Sequence, residues 1–316
     1  MGSQMKASYY EEFGELDQIK TGTIERPEPG EGEVLVRIKA AGINPVDAAV
    51  ARGMLKDNIP TQFPAITGWD LAGVVEERGY AARRFDIGDE VYAYARRPTV
   101  QHGTFAEYIV LPECYLALSP PKITVEEAGG IPLVGLTAYQ ALFQAGDLKE
   151  GQTLLILGSS GGVGTMAIQL AKSVGATIIG VASESNQDYM KDLGADETID
   201  YNTTNMGELV RGVAPEDVDF IFHCSRGDSL NQSIDTLKSG GQLVSITDSR
   251  PDIPDDINFQ YVFVEPNAAQ LIQIRELVDN GKINVPISKT FSLEDAGKAL
   301  REIESLHTQD KTVITP

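Results

Sequence analysis

The residues of this 316-residue chain best suited to chemistry begin at Leu154-Leu155-Ile156-Leu157-Gly158-Ser159-Ser160-Gly161-Gly162-Val163-Gly164. The leading apolar residues carry no charge, as in a strand buried on both faces of a parallel sheet. After the glycines, Val163, Met166, Ala167, Leu170, Ala171 and Val174 recur at helical spacing, and Gly175 stands where a helix would stop. Such a strand, turn and helix start make a phosphate cradle. The glycines let a pyrophosphate approach the free N–H groups of the helix N-terminus. A dinucleotide is therefore the first candidate ligand. Strict fingerprint spacing asks for glycine at 159, 161 and 164, and position 159 is Ser159. Taken alone, the motif leaves open a tight strand-to-helix connection that binds nothing.

The elements around this loop narrow the choice. From Gly151 onward, strands at Thr153–Gly158, Thr177–Ala182, Glu197–Asp200, Val218–His223 and Gln242–Ile246 alternate with helices expected up to Val174, Leu193 and Leu237. That alternation predicts an α/β doubly wound parallel sheet of the Rossmann type. Phe259–Val264 adds a strand before a helix over Asn267–Val278, and a last helix near Leu293–Glu304 precedes a strand at Thr312–Thr315. Upstream the texture differs. Val34, Val36, Ile38 and Ala40 alternate with Leu35, Arg37 and Lys39, and short strands near 74–76, 90–93 and 104–110 are punctuated by glycine and proline. These features predict an all-β, barrel-like domain. Pro120-Pro121 reads as a linker, followed by helices at Val125–Gly130 and Thr137–Gly146.

Bulk properties exclude several functions. The formal net charge is -20, so the surface repels nucleic acid phosphate and anionic lipid, and neither a nucleic acid nor a membrane is an expected partner. Two cysteines, Cys114 and Cys224, provide neither a disulfide framework nor a four-cysteine zinc lobe. A reducing, cytoplasmic location fits them. No run approaches the roughly 20 apolar residues of a membrane span.

Further motifs occur in a fixed order: Ala41-Gly42-Ile43-Asn44-Pro45-Val46-Asp47, then Gly68-Trp69-Asp70-Leu71-Ala72-Gly73, Gly88-Asp89-Glu90-Val91, Gly103-Thr104-Phe105-Ala106-Glu107-Tyr108 and Gly135-Leu136-Thr137-Ala138-Tyr139. With the glycine loop, they resemble the medium-chain dehydrogenase/reductase superfamily, in particular its zinc-independent, quinone oxidoreductase-like branch. In that branch the first glycine of the loop is commonly a small non-glycine residue, so Ser159 fits. The resemblance implies a GroES-like β-barrel domain over 5–123 and 285–316 and a Rossmann domain over 124–284. It also implies a homodimer, with Phe259–Val264 as the candidate interface strand.

The same resemblance bears on the site. Zinc-dependent relatives place metal ligands where this chain has Asn44, Trp69 and Val134; an amide and an indole replace neither thiolate nor imidazole, and no metal is expected. Cofactor contacts are expected from Ser160, Gly161, Gly162, Val163 and Gly164, from Ser183, Asn186 and Tyr201, and from Thr137, which is also expected to cap its helix. At the end of the second Rossmann strand an NAD enzyme puts a carboxylate, whereas Ser183 leaves room for a 2′-phosphate, so NADPH is favoured over NADH. Asn44 is expected near the nicotinamide and the substrate oxygen. Asp47 is expected to be catalytic or to hold the loop, and Trp69 to wall an apolar substrate pocket. Many relatives carry a tyrosine soon after the asparagine signature; Ala48-Ala49-Val50-Ala51 has none. The implied activity is reduction of quinones or α,β-unsaturated carbonyls by hydride transfer. Alternatives are a zinc-free enoyl-thioester reductase and a non-catalytic NADPH-binding structural or regulatory protein.

Overall fold

A computed structural model describes residues 3–202, 205–304 and 310–316. The chain divides into two compact units, Met1–Leu136 with Glu265–Pro316, and Thr137–Val264. Sequence places the boundaries at 123/124 and 284/285. In the structure the helix Ala268–Asp279 joins the first unit instead. Its Leu271 and Ile274 are fully buried, and Leu271 O accepts a 2.5 Å hydrogen bond from the buried Tyr92 hydroxyl.

In the second unit six parallel strands lie in the order Glu197–Asp200, Thr177–Ala182, Thr153–Leu157, Val218–His223, Leu237–Ser245, Asn258–Tyr261. Counted along the unit this is 3-2-1-4-5-6, the doubly wound dinucleotide-binding order. The order reverses between Thr153–Leu157 and Val218–His223, whose carboxyl ends Leu157 and His223 stand opposite each other. The glycine loop leaves the sheet at this switch point. Leu155, Leu157, Ile179, Val181, Ile221 and Leu243 fill the core beneath it.

Several helices differ from expectation. No α-helix forms between His223 and Leu237, where only a short 3-10 turn at Ile234–Thr236 occurs. Polar side chains there bond locally instead: Ser225 Oγ to Ser229 Oγ at 2.9 Å, Asn231 Nδ2 to Asp228 at 2.8 Å, and Ser233 Oγ to Ser229 O at 2.7 Å. Such bonds compete with a helical backbone. An unanticipated helix, Met206–Val213, is capped by Asn205. The helix expected from Thr137 begins earlier, at Pro132–Tyr139, and continues as a π-type turn over Gln140–Ala145. Proline suits the first helical position, where its missing N–H costs nothing. Thr137 is therefore inside a helix and does not cap it.

The first unit is built of β-strands, as expected, in a three-stranded sheet and a seven-stranded sheet. Glu33–Gly42 is the spine of the larger one, pairing antiparallel with Asp70–Arg78, Tyr108–Pro112 and Lys311–Thr315. It is covered on both faces in part, because Leu35 is as buried as Val34 and Val36. Sequence reading missed Gln4–Tyr10, Lys20–Glu25, the helix Pro45–Ala51 and the strand Ile287–Ser292.

Candidate active site

Gly158, Gly161 and Gly164 serve different ends in the loop. Gly158 has φ +91°, and a Cβ there would lie 2.9 Å from Ser225 Cβ. At Gly164 a Cβ would lie 2.3 Å from Gly158 O and 2.5 Å from Ser159 Cα, so the turn closes only over a bare glycine. At Gly161 the nearest atom to a Cβ would be Gly158 O at 3.6 Å, an ordinary contact. The space beside Gly161 is thus open to a ligand. Helix Gly162–Ser173 follows, and its first internal bond comes from Thr165 N to Gly161 O. The first-turn N–H groups of Gly162, Val163 and Gly164 have no acceptor within the helix. Free N–H groups at a helix N-terminus beside an open glycine are the arrangement that favours an anion.

Ser159 is fully buried and takes no part in that cradle. Its hydroxyl donates to Val181 O at 2.9 Å and also meets Met190 Sδ. Ser160, Ser183 and Asn186 do come together: Asn186 Nδ2 donates to Ser183 Oγ at 3.0 Å and to Ser160 Oγ at 3.2 Å. Ser183 Oγ also lies 3.2 Å from Ser185 Oγ. Tyr201 follows the neighbouring strand, with its N–H on Ala182 O at 3.2 Å and its ring half exposed. The hydroxyl and amide cluster stands at the end of the second strand, where a carboxylate would reject a 2′-phosphate. Cys224 closes the other side of the loop, its Sγ 3.1 Å from Leu157 O, and burial pushes its thiol up to about 12.

In the first unit, Asn44 and Asp47 lie in one buried network. Asn44 follows the spine strand and precedes the helix Pro45–Ala51, with proline again at the first position. Asp47 Oδ2 accepts from Asn44 N at 2.8 Å, which holds the turn. The Asn44 side chain does not cap its own helix, because both ends of its amide are used elsewhere. Nδ2 donates to Asp70 Oδ2 at 2.8 Å, and Oδ1 accepts from Lys311 Nζ at 2.7 Å. Lys311 Nζ also donates to Ile43 O at 2.9 Å and stands 3.9 Å from Asp70 Oδ2. Asp70 Oδ1 accepts from Leu133 N at 2.6 Å, a carboxylate set on a helix N-terminus. Gly42 leaves room for it, since a Cβ there would meet Asp70 Oδ2 at 2.8 Å.

Burial governs the charges. Asp47 and Asp70 are wholly buried. Desolvation raises Asp47 to about 8 against the opposing bond from Asn44 N–H. Asp70 rises less, to about 6, because the Lys311 ammonium and the Asn44 amide favour its charged form. Burial lowers Lys311, with both carboxyls resisting. Trp69 is also buried, and packs edge-on against Tyr94 with ring centroids 6.1 Å apart. Thr137 is buried too. Lys311 has no sequence signal: it is one lysine ahead of an apolar strand.

Comparison with known proteins bears on the family and the fold. Residues 30–121 match the alcohol dehydrogenase GroES-like domain model, and residues 193–314 match the zinc-binding dehydrogenase model. A chloroplastic quinone-oxidoreductase homolog of Spinacia oleracea is 30% identical, the match covering 99% of this chain and 98% of that protein. The chain belongs to the medium-chain dehydrogenase/reductase superfamily, in its quinone oxidoreductase-like branch. A chloroplastic NADPH-dependent alkenal/one oxidoreductase of Arabidopsis thaliana is 32% identical over 99% of this chain and 80% of that protein. Among solved structures, an NAD-dependent alcohol dehydrogenase superposes with a TM-score of 0.91 at 28% identity, covering 99% of this chain and all of that one. This superfamily member is an oxidoreductase with a GroES-like unit and a Rossmann unit. Among its described residues no helix is long and apolar enough to cross a membrane.

Proposed function

We propose that the protein is a zinc-independent, NADPH-dependent reductase of quinones or α,β-unsaturated carbonyls. The observation that carries this reading is the Asn44 amide held between Lys311 and Asp70. A catalytic zinc needs about three thiolate, imidazole or carboxylate ligands and an open position. Here the corresponding residues are an amide already bonded to an ammonium and an indole packed on Tyr94. A second cation beside buried Lys311 would be repelled, so the donor set does not fit the metal that one matched model is named for.

The cradle fits a dinucleotide, and the cluster of Ser160, Ser183 and Asn186 favours a 2′-phosphate. Gly161 to Gly164 hold the pyrophosphate; Ser183, Asn186 and Tyr201 receive the adenosine ribose and its phosphate. When bound, NADPH supplies a hydride for a conjugated carbon. Asn44 donates its remaining N–H to the substrate oxygen, where enolate or hydroquinone anion charge gathers. Asp47 holds the Asn44 backbone in place. A conjugated substrate needs less help than a simple ketone, whose alkoxide charge stays on one atom. The protein works as a homodimer through the edge strand Asn258–Tyr261, in a reducing compartment that keeps both cysteines free.

The test is oxidation of NADPH, and separately NADH, against quinones, enones and saturated aldehydes, before and after exhaustive chelation. Turnover is expected with quinones or enones and NADPH, unchanged by chelation. Loss of activity after chelation, or turnover confined to saturated aldehydes, would overturn the proposal.

A further inference from the structure

We infer that Lys311, working with Asp70, is the positioning residue that orients and polarises the Asn44 amide for the substrate oxygen. The inference rests on the reading of Asn44 as the donor to that oxygen. An asparagine amide offers two N–H donors and one oxygen acceptor, and rotation by half a turn exchanges their places. In this site the exchange is forbidden by charge. The oxygen faces Lys311 Nζ at 2.7 Å and the nitrogen faces Asp70 Oδ2 at 2.8 Å. A flipped amide would set its N–H groups against an ammonium and its oxygen against a carboxylate.

The hydrogen count leaves one group over. Asp70 takes one N–H of Asn44 at 2.8 Å; the amide also favours the charged form of the neighbouring Asp47, and among the described residues no further hydrogen bond of Nδ2 joins these. The ammonium on Oδ1 draws electron density from the amide, which strengthens that remaining N–H as a donor, as in any hydrogen-bonded chain in a dry interior. Lys311 is itself fixed, by Ile43 O at 2.9 Å. Its strand, Lys311–Thr315, pairs with the spine strand that leads to Asn44. Asp70 is likewise anchored by Leu133 N. The buried positive charge thus acts on the substrate oxygen through an amide, with no direct contact.

A double-mutant cycle decides it, with kcat and KM measured on the enone or quinone turned over, NADPH affinity by fluorescence titration, and thermal unfolding. Asn44→Ala is expected to lower kcat at least tenfold. Lys311→Met is expected to lower kcat by a similar factor with KM and NADPH affinity within threefold, and to have no further effect in the Asn44→Ala background. Lys311→Gln keeps a neutral donor to Oδ1 and is expected to lose about half of that effect on a logarithmic scale. It carries the test where Lys311→Met fails to fold. Undiminished kcat in Asn44→Ala would remove the underlying reading, and the inference with it. A slow Asn44→Ala beside an undiminished Lys311→Met or Lys311→Gln would overturn the inference alone. So would a Lys311 effect that is equally large in the Asn44→Ala background.

Discussion

At the scale of single residues, the glycine loop separates two roles that the sequence presents as one. Spacing alone assigns Gly161 and Gly164 to phosphate binding, and on that basis Gly161→Asp and Gly164→Asp would fail for the same reason. The structure distinguishes them. A Cβ at Gly164 would stand 2.3 Å from Gly158 O, whereas at Gly161 it meets nothing nearer than 3.6 Å. Gly164→Ala is therefore expected to lower the unfolding temperature by several degrees, in the range of 1–3 kcal/mol typical of forced close contacts. Gly161→Ala should leave it within about a degree. Gly161→Asp should keep the fold and weaken NADPH at least tenfold, by bulk and like charge. Thermal unfolding with cofactor titration checks both; equal destabilisation by the two alanines would contradict the contact argument. Asn44 and Asp47, like Ser183 and Asn186, are three residues apart, so that a local reading could expect each pair to meet. Lys311 was not legible in this way, because its partners Ile43 and Asn44 are 268 and 267 residues away.

At the scale of elements, the parallel strands were the most legible. The inner strands Thr153–Leu157, Thr177–Ala182 and Val218–His223 are short apolar runs buried on both faces, and Thr177–Ala182, Glu197–Asp200 and Val218–His223 have the ends read from sequence. Helices depended on context that sequence hides. The stretch after His223 is polar enough to bond with itself, while Pro45–Ala51 is only seven residues and owes its start to Asp47 reaching back to Asn44. The edge strand Asn258–Tyr261 bears on assembly. It is the last in its sheet, so one row of backbone donors and acceptors is unpaired, and Tyr261 and Phe263 beside it are 42% and 37% exposed. If this edge pairs with a second copy, Tyr261→Lys with Phe263→Lys should convert the protein from twice the 34.1 kDa chain mass to that mass. Light scattering after gel filtration would show it, and a double variant that stays dimeric would place the interface elsewhere.

At the scale of the whole molecule, two sources make stability depend on pH, and salt tells them apart. The net charge of -20 is a surface property whose self-repulsion salt screens, with a Debye length of about 10 Å at 0.1 M. The Asn44 network is buried and is screened far less. Asp47 is raised to about 8 and Asp70 to about 6, so between an unfolded value near 4 and these values the folded state holds protons that the unfolded chain has lost. The stability those neutral carboxyls contribute is complete below pH 4 and is lost as pH rises through about 6 and then about 8. Lys311, lowered by burial, acts with the opposite sign, since its ammonium is easier to discharge in the folded state. Between pH 6 and 8 Asp47 still holds a proton that the unfolded chain has lost, a slope of at most about 1.4 kcal/mol per pH unit. His102 and His223, lowered by burial from 6.5, act with the opposite sign at the lower end of this range. Raising salt should lift the unfolding temperature throughout and leave the decline from pH 6 to 8 in place. Asp47→Asn, which keeps an acceptor for Asn44 N–H, should flatten that decline in high salt. A decline that vanishes with salt in the parent protein would assign it to the surface charge instead.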